Sequence, residues 1–276
     1  MRYGLTMFIT DQTMDPVELA RAAEARGFVS LYVPEHTHIP VSRTTPPPTG
    51  DAELREEYKR TLDPFVALGM AAAATERLVV GTGICLVAQR DPIVTAKAVA
   101  TLDRMSGGRF VLGIGFGWNE DEAAHHGVAM KTRRAQTREH MLAMRALWSN
   151  DEAEFHGEFV DFSPSWSWPK PVSGPEVLIG GAAGPKMFAA IAEYADGWIP
   201  IGGAGVRAAL EDLHRACDAQ GRDPASLRIV PFGTVPSPGK VEYYASIGIE
   251  EVVLRVPGGS RDRVLPVLDE YAALIG

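Results

Sequence analysis

The sequence predicts a single-domain (β/α)8 TIM barrel that spans residues 1–276. Strand-like and helix-like segments alternate eight times along the chain, and no linker rich in Pro, Gly or Ser divides it. The strand-like segments are short, β-branched and apolar throughout, which is typical of parallel strands that are buried on both faces. Eight such units in 276 residues match a (β/α)8 barrel in number and length. A doubly wound open sheet is the competing architecture.

The predicted elements follow in chain order. The strands cover residues 2–9, 29–34, 77–87, 109–115, 176–181, 197–203, 226–233 and 250–259. The helices cover residues 15–27, 63–76, 91–108, 119–149, 184–197, 205–221, 239–248 and 260–276. The first predicted helix has recognisable residues at both of its ends. Asp15 is suited to the N-cap, Pro16 to the first helical position and Gly27 to termination of the helix.

Two connections exceed ordinary loop length: residues 35–61 after the second strand and residues 150–175 before the fifth. Connections this long are usually functional or disordered. The second contains Trp166 and Trp168, which is unusually aromatic for a solvated loop. We expect it to pack over the mouth of the barrel or to cover a partner surface.

Composition limits the classes of partner. A net charge of −8 and a pI of about 5.4 argue against nucleic acid, whose recognition usually needs a basic surface. The N-terminal apolar run is too short for a signal peptide or a membrane span. Cys85 and Cys217 are too few for a disulfide framework and indicate a reducing compartment. We therefore expect a cytoplasmic protein that acts on a small molecule, with no membrane partner.

Three polar residues, Glu35, His36 and His38, directly follow the second predicted strand. Active sites in this barrel gather where strands end and helices begin, so these side chains should project into the mouth. His36 is the candidate general acid or base, because an imidazole titrates near neutral pH. Glu35 is predicted to orient His36 or to cap the turn. The alternative is that His36 is a hydrogen-bonded structural histidine.

The His36-x-His38 pair also occurs in metal-dependent hydrolases, so a zinc site has to be considered. Zinc needs three or four ligands. The remaining histidines lie in predicted helices or in the second long connection, and none lies at another strand end. We therefore predict no metal site.

Glycines recur at the same predicted end of several strands. The segment "GIGFGWNE" follows strand four, and glycine pairs follow strands five, six and eight at 180–181, 202–203 and 258–259. Glycine lets a planar or phosphorylated ligand approach the backbone, and a glycine-rich turn into a helix favours phosphate. As a dinucleotide fingerprint "GIGFGWNE" is weak, because Trp118 stands where GxGxxG needs its last glycine.

Three segments resemble the luciferase-like monooxygenase superfamily: "EHTHIP", "GTGICLVAQRDPIVTAKAVATLDRMSGGRFVLGIGFGWNEDE" and "VLIGGAAGPKMFAAIAEYADGWIP". Within it the chain looks most like the actinobacterial oxidoreductases that depend on the deazaflavin coenzyme F-420. The likeness runs over most of the chain, and residues 81–122 are its most specific part.

The resemblance implies a barrel that binds a flavin-like ring at its mouth. It implies that Glu35 and His36 border the ring, and that a cis peptide joins Gly83 and Ile84 beneath it. It further implies coenzyme contacts from Gly115, Phe116, Gly117 and Trp118, with Gly180 and Gly181 at the phosphate of the side arm.

The implied activity is hydride transfer between coenzyme F-420 and a small organic substrate, with His36 exchanging the accompanying proton. Trp118, Trp166 and Trp168 indicate an apolar or planar substrate. One alternative is an FMN-dependent monooxygenase supplied by a separate flavin reductase. Another is a flavin- or deazaflavin-binding protein without catalysis. A homodimer is expected because relatives are commonly dimers.

Overall fold

The computed structural model describes residues 1–47, 50–51, 53–172, 174–201 and 205–275 of the chain. Its strands are β1 (Arg2–Thr6), β2 (Ser30–Val33), β3 (Val79–Thr82), β4 (Phe110–Ile114), β5 (Ala153–His156), β6 (Asp161–Ser165), β7 (Glu176–Gly180), β8 (Gly197–Ile199), β9 (Arg228–Ile229), β10 (Phe232–Thr234) and β11 (Glu251–Arg255). Its helices are α1 (Pro16–Ala25), α2 (Pro64–Ala73), α3 (Pro92–Met105), α4 (Glu120–His125), α5 (Arg133–Ser149), α6 (Pro185–Tyr194), α7 (Val206–Asp218), α8 (Pro238–Ser246) and α9 (Arg261–Ala272). The predicted glycine pair Gly202–Gly203 lies outside the described residues.

The main sheet is a curled parallel sheet with the strand order β10-β11-β1-β2-β3-β4-β7-β8-β9. The predicted barrel is therefore confirmed in part, because the hydrogen-bonded ladder of the described strands is not closed. Its two end strands, β9 and β10, are consecutive in the chain and are separated only by Val230 and Pro231. Pro231 has no N–H to donate, so the predicted seventh strand divides at this point.

Apolar side chains cover both faces of the sheet, as the uniformly apolar strands predict. The concave face encloses a small cluster of buried side chains: Tyr32, Val111, Leu178, Ile199, Val230 and Val253. The convex face packs against the helices in a much larger cluster that includes Leu5, Leu19 and Leu68. The strand ends are consequently held between two packed layers, which makes the loops that follow them well anchored. Among the described residues, no helix combines the length and apolar character needed to cross a membrane.

The local signals predicted for the first helix are confirmed. The Asp15 carboxylate accepts hydrogen bonds from Val17 N at 2.9 Å and Glu18 N at 3.0 Å. Pro16 occupies the first helical position, and Gly27 follows the helix with a φ of 83°. That left-handed conformation favours glycine because it lacks a Cβ.

The predicted helical region 119–149 is two helices. α4 ends at His125, and α5 begins at Arg133. Gly127 lies between them with a φ of 75°, which ends α4 and redirects the chain. The break matters for the site, because α4 is thereby free to lie across the end of the sheet.

The predicted long connection 150–175 contains the antiparallel hairpin β5–β6. The Glu139 carboxylate of α5 accepts from Phe159 N at 2.7 Å, which ties the hairpin to that helix. Beyond the hairpin, Trp166 is 78% exposed and Trp168 is 56% exposed. The Lys97 ammonium on α3 donates to the Trp168 carbonyl. The described part of this connection thus runs along α5 and α3, and the expectation that it packs over the mouth is wrong.

Candidate active site at the carboxyl end of the sheet

The ends of β3, β4 and β7 meet around the side chain of Ile84. The peptide bond between Gly83 and Ile84 is cis, as the family resemblance implied. A Cβ added at Gly115 would lie 2.6 Å from Ile84 Cδ1, and one at Gly180 would lie 2.8 Å from Ile84 Cγ2. Only glycine fits this closely at both positions. The strand ends therefore form a floor of backbone and one aliphatic side chain.

His36 lies at this same end and is nearly enclosed. Its side chain is 7% exposed, and that of Glu122 on α4 is 1% exposed. His36 Nδ1 and Glu122 Oε2 are 2.8 Å apart. A carboxylate oxygen is an acceptor, so this contact suits a ring that carries its hydrogen on Nδ1. No hydrogen bond within the described part of the chain reaches Nε2, which leaves that nitrogen as the one able to exchange a proton with a ligand.

Aromatic rings surround the imidazole. Tyr58, from the long connection after β2, lies 5.3 Å from His36 between ring centroids, and Trp118 lies 5.8 Å away. Tyr58 and Trp118 also contact each other edge to face at 6.1 Å, and Phe8 packs on Tyr58 at 4.8 Å. Such pairs bury apolar area and exclude water from the polar group between them. His36 thus works in a shielded environment.

Glu35, the other predicted catalytic residue, does not bond His36. Its Oε2 accepts from Leu86 N at 2.7 Å, and its Oε1 accepts from the Arg90 guanidinium. Burial opposes the charge on Arg90, but the Glu35 carboxylate outweighs it and raises the pKa of Arg90. Asp63 completes this group through a hydrogen bond of 2.7 Å from Arg90. Glu35 therefore ties the end of β2 to the turn after β3, and its catalytic role stays a prediction.

Two further hydrogen bonds to histidines hold α4 against the connection after β2. His38 Nε2 and His125 Nδ1 are 2.9 Å apart, and the Thr37 hydroxyl is 2.8 Å from His126 Nε2. Burial, with a smaller effect from His38, lowers the pKa of His126. The described residues contain no group of three or more His, Cys, Asp or Glu side chains arranged to hold a metal ion. His38 acts here as a structural residue between two segments.

Two buried polar groups in the first turn of α4 and at its N-cap have spare hydrogen-bonding capacity. Asn119 is 1% exposed, and neither its amide nitrogen nor its amide oxygen has a partner among the described residues. Glu122 uses Oε2 for His36, while its Oε1 has no partner in the described part of the chain. Buried polar atoms normally find partners, so unmatched ones at a strand end favour a ligand-binding site.

The remaining predicted coenzyme contacts lie at the same end. Gly117 has a φ of 73°, and the Arg134 guanidinium stacks 4.0 Å from the Phe116 ring. Gly181 has a φ of 146°, and its carbonyl accepts from Trp198 Nε1 at 2.9 Å. The structure thus brings together the turns after β2, β3, β4 and β7, but not Trp166 and Trp168. Whether these residues bind a coenzyme stays a prediction.

Sequence reasoning missed Glu122 and Tyr58, and it placed Asn119 at a strand end without giving it a role. Glu122 is one of three acidic residues in the first turn of α4. Acidic residues are ordinary at that position, so the pattern does not distinguish Glu122 from its neighbours. Tyr58 comes from a polar segment whose path over the site has no periodic signal.

Comparisons with known proteins agree with this architecture. A family model described as luciferase-like monooxygenase matches residues 10–237. An uncharacterized protein of Mycobacterium tuberculosis (strain H37Rv) is 45% identical over 99% of this chain and 98% of its own. A phthiodiolone/phenolphthiodiolone dimycocerosates ketoreductase of the same organism is 32% identical over 82% of this chain and 63% of its own.

Solved structures share the fold. A monooxygenase from Streptomyces bottropensis superimposes with a TM-score of 0.79 at 20% identity, covering 99% of this chain and 98% of the other. An F-420-dependent secondary alcohol dehydrogenase in complex with an F-420–acetone adduct gives 0.78 at 19% identity, with the same coverage. The FMN-bound oxygenating constituent of 3,6-diketocamphane monooxygenase from Pseudomonas putida gives 0.66 at 16%, covering 90% and 71%.

At these identities the structural neighbours establish the fold alone. The family model covers most of the chain, and two curated relatives exceed 30% identity over more than two thirds of it. The curled parallel sheet, with its candidate site at the carboxyl end, agrees with both. This chain belongs to the luciferase-like monooxygenase family of oxidoreductases.

Proposed function

We propose that this protein is a deazaflavin-dependent oxidoreductase that uses coenzyme F-420. In our proposal it transfers a hydride to or from a small apolar or planar substrate, and His36 exchanges the accompanying proton. The observation that carries the proposal is the enclosed His36 with an unbonded Nε2, at the end of the sheet where glycines 115 and 180 converge.

The described residues fit a planar, ring-shaped cofactor. Gly115 and Gly180 leave backbone and the Ile84 side chain as a flat floor, since any larger residue there would collide with Ile84. The unpartnered amide of Asn119 offers both a donor and an acceptor, which suits the carbonyl and N–H edge of a deazaflavin or flavin ring. Both features support a ring-binding cradle, and they support F-420 and FMN equally.

In this proposal the cofactor and the protein's own residues have separate chemical roles. When bound, a reduced deazaflavin would supply the hydride for a carbonyl carbon. The doubly protonated His36 ring would give its Nε2 proton to the carbonyl oxygen, which yields the alcohol, and the neutral ring would take a proton back at Nε2 in the reverse direction. Tyr58 and Trp118 keep water away from Nε2 and present apolar ring faces to the substrate.

Two similarities support a carbonyl or alcohol as the substrate. The curated relative that shares 32% identity is named for ketone reduction, and one structural neighbour is an alcohol dehydrogenase with an acetone adduct. The aromatic wall around His36 supports an apolar or planar group next to the carbonyl. The natural substrate would then be a hydrophobic ketone or the corresponding alcohol.

Titration of the purified protein with oxidised F-420 and with FMN, followed by fluorescence, tests the choice of cofactor. We expect saturable binding of F-420 that is stronger than binding of FMN. Reduced F-420 should then be reoxidised in the presence of ketones. Gly180→Ala should weaken binding of the ring, because its added Cβ would lie 2.8 Å from Ile84 Cγ2 and would displace the Ile84 floor. Gly69→Ala on α2 is the matched control, because its added Cβ would meet no other part of the described chain within 4 Å.

A second candidate is an FMN-dependent monooxygenase that receives reduced flavin from a separate reductase. Two structural neighbours named as monooxygenases favour it, one of them bound to FMN. Oxygen consumption with reduced FMN, together with weak F-420 binding, would select this alternative. Tight binding of either ring without turnover of ketones, enones or alcohols would instead indicate a coenzyme-binding protein.

A further inference from the structure

The contact between His36 and Glu122 joins two segments that are far apart in the sequence. Their side chains are 7% and 1% exposed, and Nδ1 lies 2.8 Å from Oε2. At this burial solvent contributes little to holding the imidazole. The orientation of the ring is therefore set by the contact with Glu122 and by the rings of Tyr58 and Trp118, which pack against it in tilted and edge-to-face arrangements.

Glu35, the carboxylate next to His36 in the sequence, is not available for this role. Both of its oxygens are already bonded, one to Leu86 N and the other to the Arg90 guanidinium. Glu122, by contrast, makes no side-chain hydrogen bond within the described residues other than the one to His36. Of the two buried carboxylates beside this end of the sheet, Glu122 is the one whose position depends on His36.

Helix α4 is fixed so that Glu122 cannot easily move away. The Asp121 carboxylate accepts from Thr44 N at 3.0 Å and from the Thr45 hydroxyl at 3.0 Å. At the other end of the helix, His125 contacts His38 at 2.9 Å. Both contacts attach α4 to the connection that also carries His36, so the donor and the acceptor are held by one connected unit.

We propose that Glu122 is the positioning residue for His36. It accepts the Nδ1 hydrogen, selects the tautomer in which Nε2 lacks a hydrogen when the ring is neutral, and leaves Nε2 as the nitrogen that exchanges the substrate's proton. The claim that Nε2 exchanges the substrate's proton rests on the proposed function. The claim that Glu122 selects the Nδ1–H tautomer concerns the protein without any ligand and is tested separately.

Nitrogen NMR of protein labelled with ¹⁵N-histidine, recorded without cofactor, measures the tautomer directly. His36→Asn identifies the His36 signals by removing them. Above the titration of the ring, wild-type protein should show a protonated Nδ1 and an unprotonated Nε2. Glu122→Leu, which keeps the volume but removes the acceptor, should shift His36 toward the Nε2–H form. Glu122→Gln should retain Nδ1–H, because its amide oxygen still accepts.

Kinetics on the same variants test the catalytic part. Glu122→Leu should lower kcat roughly 100-fold, the lower end of what positioned acid–base groups contribute, with the Kd of the coenzyme nearly unchanged. Glu122→Gln should recover part of that loss. Glu120→Gln is the matched control, because Glu120 lies in the same helical turn but is exposed. It should behave as wild type in both measurements.

The outcomes separate the two proposals. A wild-type His36 that carries its hydrogen on Nε2 overturns the assignment, even if Glu122→Leu does not fold. Unchanged kcat in a folded Glu122→Leu overturns its catalytic part. If the tautomer is as expected but neither F-420 nor FMN binds, the positioning stands and the proposed function fails.

Discussion

The two ends of the curled sheet differ in how fully their buried polar groups are paired. At the amino end, the Arg228 guanidinium contacts Glu176 and lies 2.8 Å from Glu251 Oε2, while the Ser30 hydroxyl donates to Glu251 Oε1 at 2.7 Å. At the amino end each buried carboxylate is paired with a cation. At the carboxyl end the buried Asn119 amide is left without a hydrogen-bond partner among the described residues.

The amino end also has an opening to solvent. A cleft of about 330 Å³ lies there, beside the Arg228 group. Two buried donors there, the Tyr32 hydroxyl and Arg228 Nε, have no hydrogen-bond partner in the described part of the chain. Each acid of the Arg228 group nevertheless faces Arg228. We therefore interpret the amino end as a stabilising ion cluster and the carboxyl end as the working site, in line with the general rule for this fold.

The largest expected effect is at the carboxyl end. His36→Asn should lower turnover by about 100- to 10,000-fold, the range for loss of a general acid or base, with little change in coenzyme affinity. Steady-state kinetics and a coenzyme titration measure this. His214→Asn, on the exposed face of α7, is the control. Equal turnover in both variants would remove His36 from the mechanism.

At the amino end we expect a loss of stability without a loss of activity. Arg228→Met leaves Glu176 without its cation and leaves the buried Glu251 with only Arg2 at 3.9 Å, which should lower the free energy of unfolding by about 3 kcal/mol. Urea unfolding measures the change, and kcat per folded molecule should stay the same. Arg138→Met breaks the exposed pair with Glu193 and should cost less than about 1 kcal/mol. A lower kcat per folded molecule in Arg228→Met would contradict the interpretation that the amino end contributes to stability alone.

Matched glycine substitutions sharpen the comparison. Gly4→Ala would place a Cβ 2.0 Å from the Ser30 hydroxyl, and Gly115→Ala would place one 2.6 Å from Ile84 Cδ1. Each should destabilise the fold by roughly 1–3 kcal/mol through overpacking. Only Gly115→Ala should also weaken coenzyme binding. A shift of Ile84 that costs the bound coenzyme about 1.4 kcal/mol would raise the Kd roughly tenfold. Equal coenzyme affinity in the two variants would contradict a cradle at Gly115.

The smallest expected effect concerns the pH dependence of stability. Burial and His38 lower the pKa of His126 below its usual 6.5, so the unfolded chain binds that proton more readily. The stability that depends on neutral His126 is therefore present above about pH 6.5 and is lost as the pH falls toward the folded value. His126→Gln should lose less stability between about pH 7 and pH 5 than wild type.

His156 provides a control of opposite sign for this measurement. Hydrogen bonds to Asp161 and Glu154 raise the pKa of His156, so its contribution is present at low pH and is lost as the pH rises through the folded value. His156→Gln should change the curve in that opposite sense. Identical pH profiles for wild type and His126→Gln would show that His126 does not couple to folding.

Local chemistry made several features of this protein predictable. Asp15, Pro16 and Gly27 bound α1 because capping and left-handed φ values depend on a few adjacent residues. The position of His36 after β2 also followed from sequence, because strand ends can be read from apolar runs. The cis bond between Gly83 and Ile84 was predicted from family resemblance rather than from any local pattern.

Other features depended on contacts that no short segment encodes. The hairpin β5–β6 was missed because its strands, such as Asp161–Ser165, are polar and partly exposed and lack an apolar run. The open ladder depends on Pro231 falling where β9 and β10 would otherwise continue as one strand. Glu122 could not be chosen over Glu35, since the choice depends on where α4 lies after Gly127 turns the chain.

The amino-acid sequence by itself determined the class of fold, the alternation of most of its strands and helices and the arrival of an imidazole at a strand end, because local patterns within a few positions carry these signals. Only the tertiary structure decided which carboxylate meets that imidazole, which tryptophan lies beside it and whether the sheet closes. Those outcomes depend on packing between segments separated by many residues, where small changes in direction decide which groups touch.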